Sequence, residues 1–244
     1  MSKYDDLTTI IINYRIKNRW QRDITRVVLE NIQMFTENYE LIIIESDAGE
    51  YTNDLKKQLR EEDTYLTFEE NLFTSKANNM GANRAKGKYL IFLANDILVH
   101  QDWLNELIRH YKPKSPVKIL GPNPNRTTPE EYEKMKVINK LPILEWNRCS
   151  FGSLHGGVFM EKKTFIEDIG GFDENMAFFF TDRDYNARVV KKGYHCCIIP
   201  TSLVTHLASM TWFYDLDKAA IDPKNIYNQE ADTEYFVKKW GRNP

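Results

Sequence analysis

Short apolar runs at Leu7–Ile12, Leu41–Ile44, Tyr65–Phe68 and Tyr89–Leu93 recur through the first half of the chain, separated by stretches of helical or charged spacing. This alternation limits the possible folds more than any other property of the sequence. Runs of this length rich in Ile, Leu, Thr and aromatics read as buried strands, and strand–helix–strand units close into a parallel sheet with right-handed crossovers. Between the runs, Asp23 precedes Ile24, Val27, Val28, Ile32 and Phe35, the spacing of one helix face with an N-cap at its front. Thr52–Glu62 reads as a charged surface helix, Ser75–Ala85 as a helix closed by Gly87, and Gln101–His110 as a further helix. The expected class is α/β, a mostly parallel sheet flanked by helices.

The strand candidates end in polar groups: Asn13 after the first, Glu45-Ser46-Asp47 after the second, and Asn95-Asp96 after the fourth. Ligands of open α/β sheets bind at the carboxyl ends of the strands. Burying an unpaired carboxylate costs several kcal/mol, so Asp96 is expected to be solvated, paired or holding a cation. A crevice of carboxylates and amides can hydrogen-bond a nucleobase, and its oxygens suit Mg²⁺ or Mn²⁺. No G-x-G-x-x-G follows the first strand and no Walker loop occurs, which argues against a dinucleotide or P-loop site.

From about Gly121 the texture changes. Pro122, Pro124 and Pro129 punctuate a polar stretch, a charged helix is expected around Glu130–Val137, and Pro142–Gly157 has no clear period. Order returns with the strand Val158–Met160, a Gly170-Gly171 turn, a helix from about Asp182 to Lys192, a strand Cys196–Ile199 and a helix Glu230–Trp240. One α/β domain with an irregular second half is the simplest account, and 244 residues suffice for a sizeable core.

A net charge of −2 supplies no global basic field for nucleic acid or anionic membrane. Cys149, Cys196 and Cys197 make neither a disulfide framework nor a zinc knuckle. No apolar run approaches the roughly 18–20 residues that span a bilayer, and Met1–Asp6 lacks the layout of a secretory signal. The expectation is a soluble cytoplasmic protein, with peripheral membrane contact left open.

Several stretches, in order, resemble the inverting nucleotide-sugar glycosyltransferases of family 2, which have the GT-A, Rossmann-like fold. They are T-T-I-I-I-N-Y-R (Thr8–Arg15), L-I-I-I-E-S-D-A-G (Leu41–Gly49) and the long segment Asn71–Asp96, followed by I-G-G-F-D-E (Ile169–Glu174), Phe180–Tyr194 and V-T-H (Val204–His206). The resemblance implies residues 1–120 as the nucleotide-sugar-binding half and 121–244 as the acceptor-binding and catalytic half of the same domain. It implies a nucleotide-sugar donor, UDP being the commonest nucleotide in the family, and a hydroxyl-bearing acceptor.

The resemblance also assigns roles. Asp96 falls on the last acidic position of the metal-binding D-x-D motif, and His206 on a histidine that completes the shell of Mn²⁺ or Mg²⁺. The first acidic position is Ala94 here, with Asn95 between. Asp182 falls on the aspartate that deprotonates the acceptor, with Thr181 in place of the usual Glu. Glu45 and Asp47 would read the base or ribose. Asn13, Arg15, Lys76, Asn79, Asn95, Gly156 and Gly157 line the donor stretch by the same carry-over.

Structural alternatives stand beside several of these. Thr181 and Asp184 have the spacing of a helix-capping box. Lys76 and Arg84 would suit a solvated helix face, and Gly156-Gly157 a turn. The basic run Arg15, Lys17, Arg19, Arg22 and Arg26 is either a solvated face or a diphosphate contact, and Trp212–Tyr214 either a lid or a core cover. Ala94 and Thr181 at usually acidic positions keep open a non-catalytic member that binds sugar nucleotide or glycan.

Overall fold

The computed structural model describes residues 7–47, 49–124, 144–145, 157–207 and 229–244. Its strands are β1 (Thr8–Tyr14), β2 (Tyr39–Glu45), β3 (Thr64–Thr67), β4 (Tyr89–Ala94), β5 (Ile97–Val99), β6 (Val117–Pro124), β7 (Leu144–Glu145), β8 (Val158–Lys162) and β9 (His195–His206). The helices among the described residues are α1 (Arg19–Phe35), α2 (Thr52–Lys56), α3 (Phe73–Arg84), α4 (Trp103–His110), α5 (Lys163–Ile169), α6 (Thr181–Lys191) and α7 (Gln229–Trp240). Glu130–Val137, His155, Gly156, Cys149 and Trp212–Tyr214 lie outside the described residues.

One sheet runs β3-β2-β1-β4-β8-β6-β9-β5, with β7 also paired to β9. The β3-β2-β1-β4 block is parallel. Beyond it β8 is antiparallel to both β4 and β6, and β9 is parallel to β6 while β5 and β7 run against it. Strands β1, β2, β3, β4, β6 and β9 therefore share one direction, so the sheet is mostly parallel, as the sequence predicts.

Alternation along each strand builds two cores. Ile10, Ile12, Leu41, Ile43, Ile91 and Leu93 face Val28, Leu29 and Ile32 of α1 and Trp103, Leu104 and Leu107 of α4. Their neighbours Ile11, Ile42, Ile44, Leu90 and Phe92 face Ala77 of α3, Phe165 and Ile166 of α5, and Tyr185 and Val189 of α6. Burial on both faces is why these strands read as continuous apolar runs. Gly81 lets α3 lie close on the sheet, since a Cβ there would come within 2.4 Å of Ile11 Cγ2.

Several element boundaries differ from the sequence reading. Helix α1 starts a turn earlier than the Asp23 cap predicts: Asn18 is the cap, its Oδ1 accepting the Gln21 N–H at 3.0 Å, and Asp23 is an in-helix partner of Arg22. Helix α2 stops at Lys56 and does not reach Glu62. The predicted capping box at Thr181 is also not made. Phe180 occupies the N-cap position in the left-handed region without a side-chain cap, and the Thr181 hydroxyl donates instead to the Phe178 carbonyl at 3.4 Å. Asp184 is taken by Arg188 at 2.9 Å and by the end of α7.

Candidate active site

The carboxyl ends of β1, β2, β3 and β4 form one rim, and the topology brings further groups to it. After β4 the chain turns at Asn95-Asp96 and descends as β5 against β9, with Ile97 opposite His206. That register sets Asp96 beside His206, with Oδ2 3.4 Å from Nε2. Asp96 is buried, and the Leu207 N–H donates to its backbone carbonyl at 2.9 Å, fixing the turn. Among the described residues no group of three or more His, Cys, Asp or Glu side chains gathers in a cluster that could hold a metal. The oxygen–nitrogen pair nonetheless fits a divalent ion such as Mn²⁺, whose shell is commonly completed by phosphate oxygens and water.

Asn95 turns the other way. Its amide nitrogen donates to Thr25 Oγ1 of α1 at 2.8 Å, and the side chain is buried. Gly157 sits beside the same rim, its carbonyl accepting the Ala94 N–H at 2.7 Å, one step past the Leu93–Val158 pair of the ladder.

At the end of β2, Glu45 is fully buried. The Tyr65 hydroxyl donates to its Oε2, and the Tyr14 hydroxyl donates to Tyr65 at 3.1 Å. The other oxygen, Oε1, is buried with no hydrogen-bond partner among the described residues. An orphaned carboxylate oxygen is costly and would be satisfied by a ligand N–H or hydroxyl. Tyr65, read from the sequence only as a strand residue, thus orients the group assigned to the base or ribose.

Asp47 is clamped by Arg15 Nη2 at 2.7 Å and Lys17 Nζ at 2.6 Å. Burial pushes the Asp47 carboxyl up, but the hydrogen bonds from Lys17 and Arg15 outweigh it and hold the group below its ordinary range. The basic run is therefore not uniformly solvated: Arg15 is largely buried in this triad, whereas Arg19 is exposed.

Helix α3 contributes differently from its sequence reading. Lys76 pairs with Glu70 at 3.0 Å on the surface, and Arg84 is exposed. Asn13 donates to Asn78 Oδ1 at 2.6 Å, tying β1 to α3. Asn79 reaches across to the loop after α5. Its Oδ1 accepts the Phe172 N–H at 2.7 Å, and its Nδ2 donates to the Phe172 carbonyl at 2.9 Å and to Glu174 at 2.8 Å. The structure thus gives Asn79 a loop-anchoring contact.

That loop leads to Asp182. Helix α5 follows β8, residues 171–180 run between α3 and α7, and α6 leads from Thr181 to β9. Asp182 stands in the first turn of α6 and is partly buried. Burial pushes its carboxyl above the ordinary range, opposed by the Arg183 backbone N–H and guanidinium. A carboxylate raised in this way is the better proton acceptor for a hydroxyl. The N–H of Thr74 donates to the Ala177 carbonyl at 3.0 Å, bringing this loop to the start of α3.

Sequence reasoning did not single out Asp232 or Lys239, which hold the same loop from α7, or Asp173, which the loop presents to them. Asp232 accepts the backbone N–H groups of Ala177, Phe178 and Phe179 at 2.9, 3.0 and 2.8 Å. Lys239 lies 2.6 Å from Asp173 and 2.7 Å from Asp184. No local pattern marks these residues, because their partners lie more than fifty positions away in sequence.

A mostly parallel α/β sheet flanked by helices on both faces, with this strand order, has the architecture of the GT-A glycosyltransferases. The profile described as "Glycosyl transferase family 2" matches residues 10–183, and the chain belongs to that family. It is 22% identical over 107 residues to "Glycosyltransferase GlyA" of Streptococcus pneumoniae serotype 4 (strain ATCC BAA-334 / TIGR4), a match covering 43% of this chain and 15% of that protein.

Among solved structures, the fold is similar to the mannosyltransferase PcManGT of Pyrobaculum calidifontis in complex with GDP-Man and Mn²⁺, with TM-score 0.61 and 17% identity over 84% of this chain and 57% of that one. It is also similar to TarS residues 1–349 of S. aureus, with TM-score 0.60 and 13% identity over 81% and 59% of the two chains. The chain thus spans under two thirds of each of these relatives. Among the described residues no helix is long and apolar enough to cross a membrane.

Proposed function

We propose that this chain catalyses inverting transfer of a sugar from a nucleoside-diphosphate donor to an acceptor hydroxyl, with Asp182 as the general base. The observation that carries the reading is the pairing of Asp96 with His206 on the same rim as the orphaned oxygen of Glu45. Family membership supplies the reaction class. Residues 1–120 hold the donor in this reading, and the second half presents the acceptor.

Glu45, oriented by Tyr65, accepts a hydrogen bond from the base or ribose. Arg15 and Lys17, prepositioned by Asp47, stand by the diphosphate. Asp96 and His206 would hold Mn²⁺ or Mg²⁺, which when bound supplies positive charge to the departing diphosphate. Asp182 takes the acceptor proton as the acceptor oxygen bonds to the anomeric carbon, and the anomeric carbon–phosphate oxygen bond breaks on the opposite face. Inversion follows from this single displacement, and the proton leaves Asp182 for solvent.

UDP is the proposed nucleotide, and GDP is the competing one because PcManGT was solved with GDP-Man. Thermal shift with UDP-glucose, UDP-N-acetylglucosamine, UDP-galactose and GDP-mannose, with and without Mn²⁺, separates them, since a bound ligand stabilises the fold. One donor is expected to raise Tm only with Mn²⁺ and not in Asp96→Ala. Its hydrolysis is expected to fall about 10²- to 10⁴-fold in Asp182→Asn while binding persists. Unchanged turnover in both variants refutes the assignment. Donor binding without turnover in the parent protein, whatever acceptor is offered, would instead favour the non-catalytic reading raised by Ala94 and Thr181.

A further inference from the structure

Helix α7 lies outside the residues matched by the family profile, yet its side chains bond the loop before Asp182 and the first turn of α6. We propose that Asp232 is a positioning residue for Asp182: from α7, its carboxylate gathers the backbone N–H groups of Ala177, Phe178 and Phe179 and sets the turn from which α6 projects. The inference rests on the reading of Asp182 as the base.

Three successive N–H groups on one buried carboxylate form a strong, directional anchor. The loop is held from its other side as well, by Asn79 at Phe172 and by the Thr74 N–H at Ala177. Between this anchor and Asp182 lies Phe180 at φ +60, a conformation a bulky residue adopts only when its surroundings impose it. Its ring lies 6.1 Å from that of Phe236, a fully buried residue of α7.

One face of α7 serves both ends of the segment. Tyr235 donates to Asp173 at 3.0 Å, Lys239 bridges Asp173 and Asp184, and the Trp240 indole donates to Asp184 at 2.9 Å. Positions 232, 235, 236, 239 and 240 have the spacing of a single helical stripe. An amide in place of the carboxylate offers one oxygen to three N–H groups and turns its own NH₂ against the rest, which lets the strained turn relax, displacing Asp182 while the donor side stays intact.

Amide hydrogen exchange and the hydrolysis of UDP-N-acetylglucosamine and GDP-mannose with Mn²⁺ test this on the full chain. In Asp232→Asn the amides of Ala177–Phe179 are expected to exchange about tenfold faster or more. For whichever donor is hydrolysed, kcat is expected to fall roughly 10- to 100-fold with KM within about twofold, as for a misplaced catalytic group. Asp232→Glu, which keeps the charge, recovers part of kcat. Val28→Ala, a core change in α1, lowers Tm without lowering kcat.

Unchanged exchange in Asp232→Asn overturns the proposal, as does a kcat loss no larger than that of Val28→Ala. Loss of turnover in Asp182→Asn beside full turnover in Asp232→Asn sinks the positioning role alone. Full turnover in Asp182→Asn sinks the base assignment, and the positioning role with it.

Discussion

Replacing Glu161 by Gln should change how stability depends on pH, by an amount the structure specifies. Glu161 lies on β8, fully buried on the face packed with Phe159, Phe165 and Tyr185. The Tyr185 hydroxyl stands 2.8 Å from both carboxyl oxygens. One hydroxyl proton cannot serve two acceptors well, whereas a protonated carboxyl donates back to the hydroxyl and completes both bonds. Burial raises the Glu161 pKa from 4.5 to about 8, with the Tyr185 hydrogen bond and the Arg188 charge opposing it.

Because the folded value is the higher one, the folded chain binds the extra proton across this window. The contribution is fully present below about pH 4.5 and is lost as pH rises through about 8. Between pH 5 and 8 the loss is roughly 3–4 kcal/mol, at about 1.4 kcal/mol for each pH unit. Gln reproduces the shape and both hydrogen-bonding roles of the neutral acid but does not titrate. Urea unfolding of the two proteins at half-unit steps from pH 5 to 8 isolates this contribution, since all other groups cancel in the difference. Glu161→Gln should be close to the parent at pH 5 and more stable by roughly 3 kcal/mol at pH 8, on the order of 10 °C in Tm. Parallel curves across that range would refute a neutral buried Glu161.

Three further substitutions probe the loop and the rim. At Gly171 (φ +71) an added Cβ would sit 2.7 Å from Asn79 Oδ1, whereas at Gly170 (φ +88) it would meet nothing within 4 Å. Both Ala variants incur the left-handed penalty of about 1 kcal/mol, so Gly171→Ala should lose roughly 1–3 kcal/mol more by chemical denaturation, and equal losses would show that the Asn79 clamp carries no weight. His206→Ala should raise the Mn²⁺ concentration needed for the donor-induced thermal shift by roughly tenfold or more, and an unchanged Mn²⁺ titration would remove His206 from the metal set.

The parallel half of the sheet is legible in the sequence because β1, β2 and β4 are buried on both faces and so appear as unbroken apolar runs. Strand β6 is not, and β9 is legible only over Cys196–Ile199, for a physical reason. They carry Pro122, Pro124 and Pro200, and their pairing shifts register between Val117 and Ile119 and between Pro122 and Asn123. Proline in a strand argues against a strand until a bulge accommodates it, and bulges belong to the pairing, not to either segment alone.

The rim divides on the same principle. Asp96 is visible as a charge ending an apolar run, and Asp182 through a family motif. The nearness of Asp96 to His206 is fixed by the β5–β9 register, 110 positions apart in sequence, and only the resemblance pointed to it. Asn79 and Asp232 are further removed, because their partners are backbone groups of a distant loop and any sequence there would present the same N–H groups. A side chain that recognises another side chain can leave a pattern in both segments. One that recognises only backbone marks nothing but itself, so the groups fixing the Asp182 loop had to be found in three dimensions.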